Sequence, residues 1–149
     1  MSTSAVSETS SRRRWLARWS IAALLFYWLV LITTTHIPKV PDPLGFRPSD
    51  KLLHFMAYTV LGALVGLVSS RYVRPRLGVA LMLFVGLAVH GVLDEVTQPL
   101  FGRHADAADW FADILGAAAG LGLFFAASNF VQRWRNADEK LAGKAKHQR

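Results

Sequence analysis

The 149-residue sequence contains no cysteine. That excludes disulfides, thiol nucleophiles and thiolate metal sites. Charge is also scarce: 18% of residues are Asp, Glu, Lys or Arg, against 52% hydrophobic. Such a balance excludes a disordered chain. The sequence has no H-E-x-x-H zinc motif, no nucleophile elbow and no glycine-rich phosphate loop. No internal repeat is visible, which argues against a transporter. What is present is apolar, with a mean hydropathy of +0.28, and the length suits one domain.

Four apolar runs carry that hydrophobicity. Residues 1–11 are rich in Ser and Thr and are expected to be disordered. Ser11–Ala17 has the paired arginines of an export signal, but no small-residue cleavage site follows. Arg12, Arg13, Arg14 and Arg18 are therefore read as charges that keep the N-terminus in the cytoplasm. The first run covers about Trp19–Thr34, among Trp15, Trp19 and Trp28, and approaches the ~20 residues a span needs. The tryptophans and Tyr27 suit interfacial belts and packing. Pro38, Pro41, Pro43 and Pro48 make the connection that follows an extended loop.

Ser49 and Asp50 open the second run as an N-cap signal, and it continues to about Ser70 with Gly62 and Gly66 spaced for close packing. The third run covers about Leu77–Gln98 and ends at Pro99. The fourth covers about Trp110–Phe130, with Gly116, Gly120 and Gly122 as a small-residue face. This divides the chain into a basic N-terminus (1–18), a four-span membrane domain (19–131) and a basic tail (132–149).

The net charge of +7 would suggest nucleic acid in a soluble protein. Here the basic residues sit at the ends of apolar runs, which points to a membrane surface and excludes a nucleic-acid partner. Thirteen of the 17 Lys and Arg residues fall in the N-terminus, the second connection and the tail. The remaining four (Lys39, Arg47, Lys51 and Arg103) fall in or beside the first and third connections. The expected fold is an all-α, four-transmembrane-helix bundle with both termini cytoplasmic.

The polar residues cluster at the outer ends of three runs. Asp50, Lys51, His54 and Tyr58 lie within ~100° of arc on the second helix at 100° per residue. His90, Asp94 and Gln98 follow i, i+4, i+8 on the third, with Glu95 beside them. Asp109, Asp113, Gly116 and Gly120 share a stripe on the fourth, with Asp106 just before it. An acid at mid-membrane costs ~2.5–3.5 kcal/mol on insertion scales. Three such faces are therefore expected to converge on one another in a cleft under the outer loops.

Three uses of that cleft remain open. The acids can simply pair with Lys51 and Arg103. Their excess over nearby bases also suits carboxyls that keep their protons, a cationic ligand or a divalent metal. His54, His90, Asp94 and Glu95 have the right donor types for such an ion. For catalysis, Glu95 with His54 and Asp109 could do general acid–base work, while Thr97 and Tyr58 are the available hydroxyls.

These residues resemble a known family. D-K-x-x-H-F-x-x-Y (Asp50 to Tyr58), E-x-x-Q (Glu95, Gln98), F-G-R (Phe101 to Arg103) and D-x-x-A-x-x-x-G (Asp109, Ala112, Gly116) occur in the order seen in the VanZ-like family. The resemblance covers roughly residues 20–130. It implies a small multi-pass protein of the bacterial cell membrane and, for the member that named the family, lower susceptibility to the glycopeptide teicoplanin. By position it carries over Asp50, Lys51, His54, Glu95, Gln98, Arg103 and Asp109. The family often has Asn where this chain has Asp113, which adds an acid to the cleft.

The leading expectation is recognition of an envelope lipid or lipid-linked component. Lys51 and Arg103 would hold anionic phosphate, with Asp50, Tyr58, Gln98 and Asp113 lining the site. The alternative is an enzyme modifying such a lipid, with Glu95 as base and His90 and Asp94 among the ligands of a divalent metal cofactor. A third is a non-catalytic helper of a larger membrane complex, with a membrane-protein partner.

Overall fold

The computed structural model describes residues 3–37 and 49–147. Four helices follow in order: α1 (Thr3–His36), α2 (Asp50–Ser69), α3 (Leu77–Thr97) and α4 (Ala107–His147). A single 3-10 turn, Gln98–Phe101, joins α3 to the loop before α4. There is no strand among the described residues. Each helix contains a stretch long and apolar enough to cross a membrane: Arg14–His36, Asp50–Ser69, Leu77–Phe101 and Ala107–Lys140. The chain is a four-span membrane bundle.

The boundaries follow local chemistry. Ser49 caps α2, its hydroxyl accepting from the Leu52 amide at 3.3 Å. Asp106 opens α4, its Oδ1 accepting from the Ala108 amide at 2.8 Å. Pro99 ends α3 and is taken up by the 3-10 turn. Gly102 closes that turn with φ +75°, a conformation that disfavours any side chain, and the chain then reverses so that the Arg103 amide donates to the Gln98 carbonyl at 3.3 Å.

One expectation about the ends is corrected. Residues 3–11, expected to be disordered, form the first turns of α1, and α4 continues as a helix through the basic tail to His147. No Gly or Pro occurs before Pro38, and no Pro occurs after Pro99. Once the apolar span has nucleated each helix, extending it costs little. The expected proline-rich connection, with Lys39 and Arg47, lies outside the described residues.

The bundle is built around the pair α2 and α4. Gly116 and Gly120 of α4 lie against the backbone of α2, and a Cβ on either would collide with the carbonyl oxygens of Phe55 and Thr59 respectively. In return, a Cβ on Gly62 would meet the Ala117 carbonyl oxygen at 2.8 Å. Gly122, expected on the same small-residue face, has open space around it. α3 packs on α4 and α1 on α2. Tyr58, Leu61, Leu87, Ala117, Leu121 and Leu31 form the apolar core. Phe26, Met82 and Leu123 point outward, as lipid-facing residues should.

Candidate functional site

Among the described residues, eight polar and seven apolar side chains are buried, and all the polar ones except Ser20 collect at one end. That end holds the C-termini of α1 and α3 and the N-termini of α2 and α4. The expected convergence of α2, α3 and α4 is present, and α1 joins them.

The first group lies between α2, α3 and α4. His54 Nδ1–H donates to Asp113 Oδ1 at 2.9 Å, and Nε2 lies 3.9 Å from Asp109 Oδ2. Lys51 bonds Asp106 at 2.8 Å and Asp109 at 3.3 Å. Glu95 Oε1 accepts from the Gln98 side-chain amide at 3.1 Å, and Oε2 from the backbone amide of Asp106 at 2.8 Å. Glu95 thus ties the end of α3 to the start of α4. Arg103 reaches the Thr35 carbonyl at 2.6 Å and Asp50 at 3.3 Å, with its side chain only 7% exposed.

The second group lies between α1 and α3. Trp28 Nε1–H donates to His90 Nε2 at 2.7 Å. An indole N–H can only donate, so Nε2 accepts and His90 Nδ1–H donates to Tyr58 Oη at 2.8 Å. Thr35 donates to Asp94 Oδ1 at 2.9 Å, and His36 Nε2 pairs with Thr97 at 2.9 Å. These side chains connect two helices whose backbones make little contact.

The gap they leave is a cavity of about 610 Å³. Ile32, Ile37, Leu93 and Phe101 form its apolar walls, and His36, His90, Asp94 and Thr97 supply its polar groups. Asp94 Oδ2 is buried and has no hydrogen-bond partner. The volume falls within the range of ligand sites. Neither Lys51 nor Arg103 lines this cavity.

Two clusters present three ligand-type atoms close together: Asp50, His54 and Asp109, and His54, Glu95 and Asp113. His90 and Asp94, expected as metal ligands, join neither; they sit at the α1–α3 gap. Of the residues that build that gap, Trp28 suited an interfacial belt and His36 had no expected role. Their signal was present: Trp28, Ile32, Thr35 and His36 stand at i, i+4, i+7 and i+8, one helix face.

The sequence model of the VanZ/LLP1 family matches residues 2–129. No curated protein and no solved structure matches the chain.

Proposed function

The chain belongs to the VanZ/LLP1 family, and from that premise we propose that it recognises an envelope lipid or lipid-linked component in the bacterial cell membrane through the groove between α1 and α3. The observation that carries this reading is the cavity itself. It has apolar walls suited to acyl chains and a polar end suited to a headgroup.

The polar end also sets the headgroup chemistry. Asp94 Oδ2 is a buried acceptor without a donor, and such an atom is costly to leave unpaired. The groove therefore selects a headgroup with donors, an amine or hydroxyls, over a bare phosphate. Lys51 and Arg103, the phosphate ligands expected from the sequence, are occupied by Asp106, Asp109, Asp50 and the Thr35 carbonyl.

The test is native mass spectrometry from mild detergent with added phosphatidylethanolamine or phosphatidylglycerol. Wild type is expected to retain the amine lipid several-fold better. Leu93→Trp, which fills the groove wall, should weaken binding at least tenfold, and Asp94→Asn should erase the preference. If Arg103→Ala erases selectivity while Asp94→Asn is silent, the headgroup site lies at the loop end instead. In cells, any protection against teicoplanin given by the wild-type chain should vanish with Leu93→Trp.

A further inference from the structure

His54, Glu95 and Asp113 come from three different helices, and each is buried: 4%, 6% and 0% exposed. One donor atom from each lies within 4.8 Å of the others. Glu95 and Asp113 meet no Lys or Arg among the described residues; their partners are His54, the Gln98 amide and the Asp106 backbone N–H. A protonated His54 would balance only one of the two carboxylates. The neighbouring cluster, Asp50, His54 and Asp109, differs in this respect, because Arg103 and Lys51 already balance its acids.

A second observation points to a missing ligand. Asp113 Oδ2 and Gln98 Oε1 are buried with no hydrogen-bond partner. Both residues are 0% exposed, and the Gln98 side chain is bonded to Glu95. Two orphaned oxygens at an uncompensated pair of buried carboxylates ask for a cation.

We propose that His54, Glu95 and Asp113 form a binding site for a divalent transition-metal ion, for which Zn²⁺ is the reference. One imidazole nitrogen with carboxylate oxygens suits such an ion better than Mg²⁺ or Ca²⁺, which prefer all-oxygen sets. Three protein ligands are the number found in zinc sites that keep a position open. With Nδ1 as the ligand, the ion replaces the proton now shared with Asp113, and that proton goes to solvent. The site is separate from the groove, since none of the three residues lines it.

The experiment uses the full chain with a histidine-free tag, stripped with EDTA in mild detergent and titrated with Zn²⁺ against a chromophoric chelator. Wild type is expected to bind one Zn²⁺ per chain and to prefer it over Mg²⁺. Glu95→Gln and Asp113→Asn should each weaken Zn²⁺ at least tenfold while eluting as monodisperse helical protein. Asp138→Asn, an exposed carboxylate of α4 far from the cluster, should bind as wild type does. A wild-type chain without stoichiometric Zn²⁺ overturns the proposal, as does unchanged affinity in both cluster variants. Should both variants misfold, X-ray absorption of the wild-type Zn²⁺ complex decides. A single imidazole among oxygen ligands, with Zn²⁺ affinity unchanged in Asp50→Asn, supports the site; two or more imidazoles, or loss of affinity in Asp50→Asn, place the ion elsewhere.

Discussion

A guanidinium held 7% exposed at the end of a membrane bundle needs its donors filled, and Arg103 has both the Thr35 carbonyl and Asp50. One side chain thereby joins the end of α1 to the start of α2. Hydrogen bonds to charged groups contribute ~1.5–3 kcal/mol each, and Asp50 is partly exposed, so the pair is discounted for screening. Arg103→Ala is expected to cost roughly 1–3 kcal/mol, measured by unfolding in detergent. Arg103→Lys should not restore it, because a single ammonium cannot reproduce the planar fork. A variant as stable as wild type would return Arg103 to a purely ligand-facing role. Asp113 makes a related point. Where the resembled family often has Asn, this chain sets a carboxylate directly on His54 at 2.9 Å.

At the scale of elements, the contact between α2 and α4 sets where Lys51, His54, Asp109 and Asp113 meet. It is close because Gly116 and Gly120 let backbone meet backbone. Gly120→Ala forces the helices apart and is expected to cost about 1–3 kcal/mol, as overpacking does. It should also loosen the pairing of His54 with Asp113 across the same two helices. Gly86 is the control: nothing lies within 4 Å of a Cβ there. Gly86→Ala should be neutral or stabilising by up to ~1 kcal/mol from helix propensity alone. Thermal unfolding of the two variants side by side checks both statements. Equal effects would mean that the glycine faces do not set this interface. α1 and α3 behave differently: they stand apart, and the side-chain bridges Trp28–His90, Thr35–Asp94 and His36–Thr97 hold the groove between them open and shaped.

For the whole molecule, the polar cluster and the basic residues of the second connection lie at opposite ends of the bundle. Arg71, Arg74 and Arg76 stand between α2 and α3, on the side away from His54 and Asp113. From the excess of Lys and Arg there and in both termini, that side is expected to face the cytoplasm. Alkaline phosphatase inserted in residues 38–48 should be active, and inserted at residues 71–76 it should be inactive. The reverse pattern would invert the topology and put the groove's polar end at the inner leaflet.

The sequence by itself determined the number of spans, their approximate limits and the gathering of His54, Glu95, Asp109 and Asp113 at one end. Hydrophobicity, capping and helical periodicity are local, so they can be read along the chain. It also marked Gly116 and Gly120 correctly, because a small-residue stripe has one strong use in a membrane. Tertiary structure decided which acid meets which base. Lys51 and Arg103 go to carboxylates, and Glu95 joins α3 to α4. His90 and Asp94 turn toward α1, while Gly122 faces open space. Those outcomes depend on helix rotation and on pairs separated by tens of residues, such as Thr35 with Asp94 and His54 with Asp113. A rotation of one helix by a single residue, ~100°, would exchange these partners without altering any pattern visible in the sequence.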